Sequence, residues 1–186
     1  MLPSSAPPSP VRGGPEHLPG VHTRSGNAMN RTRAGLLSGA ARAFAEHGLR
    51  RSTMQSIAAA AGVAKATLYN HFRTKDEVAA ELLAVELDRL TALAGSLPLG
   101  EGLAALSDEL GAHPVLRRLA ETEPETLAAL LGTGRWVELT ARLGAALQVD
   151  DDGAELAGRW LLGVVLQPGR STTRRRLATR LAAVLG

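Results

Sequence analysis

Residues 65–71 carry five hydrogen-bonding side chains within two helical turns: Lys65, Thr67, Tyr69, Asn70 and His71. Between them Leu68, with Phe72 four residues on, is spaced to anchor one side of the helix inward. The polar set is left to point outward or sideways. Such a helix, slim and polar on its outer face, suits the major groove of DNA, which is about 12 Å wide. The chemistry is recognition rather than bond-making. Charge supports a polyanion partner. From Arg31 to Lys75 eight bases stand against the single acid Glu46, a net of about +7, whereas the whole chain of 186 residues has a net charge of only +3. A basic solvated face is the bland alternative on charge alone.

The elements that must position this set can be read from their stop and start signals. Leu36, Leu37, Ala40, Ala41, Phe44 and Ala45 recur at helical spacing from about Asn30, and Gly48 ends that first helix. Leu49-Arg50-Arg51 is a connector. Ser52 or Thr53 offers an N-cap for a second helix, Met54 to Ala61, which Gly62 closes in a left-handed conformation. The third helix runs from Ala64 to about Phe72. Thr74 caps a fourth that reaches from Lys75 to Leu97, with Asp76 and Glu77 in the first turn, where the helix dipole favours acids, and Pro98 beyond its end. Two short helices joined by a glycine turn form a helix-turn-helix.

This stretch closely resembles the N-terminal domain of the tetracycline-repressor (TetR) family. The likeness covers about Arg33 to Leu83 and rests on Ala41, Phe44, Gly48, Thr53, Ile57, Ala58, Lys75 and Glu77, and above all on the run Ala61-Gly62-Val63-Ala64-Lys65-Ala66-Thr67-Leu68-Tyr69-Asn70-His71-Phe72. The resemblance implies base-edge contacts for Lys65 and Thr67. It implies backbone or adjacent-base contacts for Tyr69 and His71, and phosphate contacts for Thr53 and Lys75. Two positions depart from the family pattern. Ala64 stands where Ser or Thr often caps the third helix, a loss of about 1 kcal/mol, and Ala66 stands where Gly is common. Both bear on which operator is read.

Beyond Pro98 the pattern stays helical. Breaks at residues 111–114, 123–124, 132–134, 150–152 and 168–169 delimit about five helices joined by short loops, as in an antiparallel bundle. The expected fold is all-α: a three-helix head at 31–75, a linking helix at 76–97, and a helical body at 98–186. Aromatics make up 3% of the chain, so its core must be Leu, Ala and Val. In the family the body dimerises and usually holds a small-molecule pocket. Candidate pocket residues are Leu106, Leu110, His113, Leu116, Leu130, Trp136 and Leu139, a mostly aliphatic set that suits a small apolar effector. Candidate dimer-interface residues are Leu156, Trp160, Leu161, Val164 and Val165, followed by Leu177 and Leu181, with completion of the intramolecular core as the alternative.

Several classes are set aside. Residues 1–30, rich in Pro, Gly and Ser, read as a disordered tail and lack the apolar segment of a signal peptide. Met29 allows a later start. No apolar run reaches the roughly 18 residues of a spanning helix. There is no cysteine, which suits the cytoplasm. No nucleophile motif, His-Glu-x-x-His or phosphate loop is present, so neither an enzyme nor a cofactor or metal is expected. Asp150-Asp151-Asp152 reads as a loop and capping run. The expected function is a homodimeric regulator that binds a double-stranded operator and is released by an effector. The alternatives are an architectural DNA-binding protein or a ligand-binding module with a vestigial head.

Overall fold

The computed structural model describes the backbone from Val21 to Gly186 and the side chains from Arg31 onward. Among the described residues it holds ten helices and no strand. They are α1 (Val21–Arg51), α2 (Met54–Ala61), α3 (Lys65–Tyr69), α4 (Lys75–Gly95), α5 (Leu99–Ala112), α6 (Pro114–Thr122), α7 (Pro124–Leu130), α8 (Thr133–Leu147), α9 (Asp151–Leu166) and α10 (Ser171–Leu185). The all-α architecture expected from composition is the one observed.

Local chemistry sets most boundaries in the head. Thr53 and Ser56 form a reciprocal capping box at the start of α2: the Ser56 N–H donates to Thr53 Oγ1 at 3.1 Å, and the Thr53 N–H donates to Ser56 Oγ at 2.9 Å. Gly62 closes α2 at φ 70°, ψ 29°. Thr74 caps α4 by accepting from the Glu77 N–H at 3.1 Å. Helix α1 breaks at Gly48, whose φ of 79° and ψ of 171° only glycine adopts without strain. Its first core layer closes against α2 at Gly39, where any Cβ would overlap the Ala61 main chain.

Four boundaries differ from expectation. Helix α1 begins at Val21, so the disordered tail expected over 1–30 is corrected for 21–30, and residues 1–20 lie outside the described residues. No proline follows Pro19 before Gly48, and extending a nucleated helix costs far less than starting one. Helix α3 is only five residues, ending at Tyr69, because Ala64 supplies no side-chain cap and the last turn tightens through the His71 N–H to the Leu68 carbonyl. Helix α4 stops at Gly95, two residues early. Six helices rather than about five follow Pro98, since Pro114 and Pro124 each open a new helix at its first turn.

Two apolar clusters hold the molecule together. The first joins Leu36, Phe44, Ile57 and Leu68 of the head to Val115, Leu119, Leu127 and Val165 of α6, α7 and α9. The second packs α4, α5, α8, α9 and α10 around Leu103, Leu106 and Leu161. Each such side chain contributes about 1.5–3 kcal/mol when fully buried. Helix α4 supplies residues to both clusters and so ties head to body.

Candidate functional site

Helix α3 presents two unlike sides. Leu68 is completely buried and Phe72 nearly so, whereas Tyr69 is 45% exposed and Lys65, Ala66 and Asn70 are exposed with it. Lys65 Nζ lies 5.6 Å from the Tyr69 ring centroid, a spacing at which the cation and the ring face attract. That contact leaves both side chains at the surface. Thr67 and His71 are half-buried at the flanks of this face. Thr53 is exposed at the start of α2, where its hydroxyl oxygen is already engaged as a cap. Lys75 is turned toward the connector after α1, donating to the Leu49 carbonyl at 2.7 Å and the Arg50 carbonyl at 3.2 Å. Arg50, Arg51 and Arg73 are exposed nearby. The resulting surface is basic and rich in donors.

That connector is held from its other side by the body. Glu123, between α6 and α7 and almost fully buried, accepts the Arg50 N–H on both carboxylate oxygens, at 3.2 and 3.1 Å. A Cβ at Gly48 would collide with the same carboxylate, so glycine is required there on two counts. Arg50 also reaches Glu125 at 3.4 Å. Charge-assisted bonds to a buried carboxylate are the stronger kind.

Behind the connector lies a cavity of about 260 Å³. Its walls bring together Leu106 and Leu110 of α5, His113 and Leu116 at the start of α6, Leu130 of α7, and Trp136 and Leu139 of α8. All seven residues singled out in the sequence therefore line one cavity. Sequence reasoning missed the part of the lining contributed by Phe44 and Leu49 of α1 and by Leu82, Glu86 and Leu90 of α4. It also missed the polar cluster Glu86, Arg89 and Glu109, whose members come from α4 and α5. Arg89 holds the Glu86 carboxyl below the usual range, chiefly by hydrogen bonding, and burial pushes the His113 imidazole down.

Residues 36–82 match the family model described as bacterial regulatory proteins, tetR family. That stretch of the chain, the helix-turn-helix and its flanks, is similar to the tetR family. A transcriptional repressor of this type from Mycobacterium tuberculosis, KstR2, is 45% identical over 69 residues, covering 37% of this chain and 34% of that protein. A second repressor from the same organism, Rv1474c, is 30% identical over 115 residues, covering 60% of this chain and 59% of that one. The chain thus spans about a third to three fifths of the length of these relatives. Among solved structures, Salmonella enterica GusR superposes with a TM-score of 0.63 at 21% identity, over 83% of this chain and 93% of that one. The fatty acid degradation regulator FadR from Bacillus halodurans gives 0.62 at 19% identity, over 82% and 93%. Sequence likeness to the named repressors is concentrated in part of the chain, whereas likeness of fold covers most of it.

The head is followed by a body whose last helices expose an uneven apolar face. On α9, Leu156 and Leu166 are exposed and Trp160 is half-buried; on α10, Leu177 and Val184 are exposed and Leu181 is half-buried. Leu161, Val164 and Val165 do not share that face. They are 6%, 5% and 8% exposed and pack inside the protomer, which corrects their assignment to a dimer interface. Helix α9 is apolar on more than one side, and 3.6-residue periodicity alone does not say which side faces inward. Asp150 acts as the capping residue expected, accepting the Gly153 N–H at 2.8 Å. No described helix is long and apolar enough to cross a membrane.

Proposed function

We propose that this protein is a sequence-specific DNA-binding transcriptional repressor, a homodimer released from its operator when a small apolar molecule enters the cavity. The division into a head at 31–75, a linking helix at 76–97 and a body at 98–186 serves this reading, and such a protein works in the cytoplasm without catalysing a reaction. One observation carries the reading: Lys65, Tyr69 and Asn70 stand exposed on a helix whose other side, at Leu68, is fully buried in the head. The polar set is aimed and its anchor is fixed. With Thr67 and His71 at the flanks, α3 reads base edges, while Thr53 and the exposed Arg50, Arg51 and Arg73 meet phosphates. Lys75 serves mainly by fixing the connector, since its ammonium is already engaged by two carbonyls. The two KstR2 and Rv1474c relatives, both named as repressors, support the direction of control.

Dimerisation uses the exposed Leu156, Leu166, Leu177 and Val184 with the half-buried Trp160 and Leu181, packed against their own copies about a two-fold axis. Two heads then occupy successive major grooves about 34–36 Å apart. Coupling follows from the connector. The cavity is walled by α6 and α7, and Glu123 between them holds the Arg50 N–H. A ligand that shifts α6 or α7 moves Glu123, and with it the connector that leads into Thr53. Any ligand that favours a different head spacing lowers DNA affinity by the same factor by which DNA lowers its own.

The test is binding to the DNA upstream of the protein's own gene at several salt concentrations, beside a Tyr69→Ala variant. Saturable binding by a dimer, about 10³-fold or more tighter than to random DNA, is expected, with the variant weakened about tenfold to a hundredfold. Equal, steeply salt-dependent binding to every DNA would overturn operator recognition in favour of an architectural role.

A further inference from the structure

The cavity is mostly apolar, lined largely by leucines with Phe44 and Trp136; its ionisable side chains are Glu86 and His113, while the Thr91 hydroxyl donates to the Leu87 and Asp88 carbonyls of its own helix. The hydrogen bonds of Glu86 and His113 set what each can still donate or accept. The Leu116 N–H donates to His113 Nδ1 at 3.3 Å, capping α6, so in the neutral ring the proton resides on Nε2. Nε2 lies 3.6 Å from Glu86 Oε1, too far for a direct hydrogen bond. A single oxygen atom placed beside the pair lies within bonding reach of both. Glu86 is anchored as a carboxylate by Arg89, which donates to its Oε2 at 3.0 Å and its Oε1 at 2.7 Å. Arg89 is shared with Glu109, so two carboxylates face one guanidinium and this part of the cavity is net negative while the imidazole is neutral.

We infer that the cavity takes an uncharged, largely aliphatic molecule ending in a hydroxyl, which accepts from His113 Nε2 and donates to Glu86 Oε1, and that it rejects the matching carboxylic acid. The inference rests on the cavity being the effector site and names what fits there. A carboxylate head would sit beside Glu86, an unfavourable like-charge juxtaposition. A carbonyl accepts from Nε2 but offers nothing to Glu86. An ammonium donates to Glu86 but leaves the Nε2 proton without an acceptor and adds a cation beside Arg89. A group that both donates and accepts satisfies the pair, and a part-buried donor or acceptor left without a partner weakens binding. The burial that holds the imidazole neutral keeps the donor in place at neutral pH.

The experiment titrates the full chain, free of DNA, with decan-1-ol, decanoate and decylamine near neutral pH. Calorimetry and tryptophan emission are followed, since Trp136 lines the cavity. Saturable binding of decan-1-ol is expected, at least about tenfold tighter than either charged probe. In Glu86→Gln the gap to decanoate narrows because decanoate gains. In His113→Asn, which keeps a strong capping residue on α6, decan-1-ol weakens severalfold while decanoate stays where it was. Decanoate or decylamine binding the wild-type protein as tightly as decan-1-ol would overturn the inference, as would no saturable binding of decan-1-ol. If decan-1-ol binds with the expected preference yet leaves the affinity for upstream DNA unmoved, the ligand class stands and the effector reading falls.

Discussion

The head and the body are built to opposite rules. In the head, nearly every boundary is set by a residue acting on its immediate neighbours: Thr53 with Ser56, Gly62 closing α2, Thr74 with Glu77. In the body, the decisive contacts join residues far apart in sequence, such as Glu123 with Arg50 and Glu86 with His113. On the proposed reading the head must match a duplex of nearly fixed shape, which fits its locally specified form. The body has only to enclose a cavity and cover a face, and many aliphatic sequences do both. Yet the two meet in one apolar cluster, in which Phe44 is both head core and cavity wall.

That shared cluster makes the comparison breakable. Phe44→Ala is expected to cost about 3–5 kcal/mol and to lower a single unfolding transition; two separate transitions in calorimetry would mean that head and body fold independently after all. Gly48→Ala comes next. Its methyl meets the Glu123 carboxylate at a backbone conformation closed to alanine, and a loss on the order of 2–3 kcal/mol is expected in chemical denaturation. A loss below about 0.5 kcal/mol would show that the connector is not held as described. Ala64→Ser acts in the other direction. Ala64 has the extended backbone of a capping residue without a capping side chain, so serine should stabilise by about 0.5–1 kcal/mol in the same measurement.

The smallest effect concerns pH. Burial lowers the His113 pKa, so the unfolded chain binds the proton more readily and stability falls as pH drops below about 6.5. Between about pH 7.5 and 5.5 the wild-type melting temperature should fall more than that of His113→Asn. Equal falls would assign the slope to other groups.

These contrasts explain what was legible in the sequence. The caps and the polar set on α3 were readable because their geometry is contained within a few residues. The seven cavity residues were readable as an aliphatic helical stretch, but not the rest of the lining, because nothing in the spacing of Phe44 or Leu82 says that α1 and α4 will join it. Glu123 read as part of a loop break beside Pro124; its role depends on a partner 73 residues away. Gly39 gave no signal, since only the approach of Ala61 makes a side chain impossible there. Leu161, Val164 and Val165 went to the wrong side of α9 because a helix apolar around much of its circumference has no unique inner face.

The apolar cluster shared by α1, α6, α7 and α9 also bears on how such proteins can be recombined. A graft of residues 31–75 alone onto a foreign body would cut through that cluster, exposing Phe44 and leaving Glu123 behind with no backbone N–H to receive. The smallest segment that carries all of that cluster runs through α9. If α3 reads the operator as proposed, its preference is easier to exchange by substituting the exposed positions of α3 than by swapping whole heads.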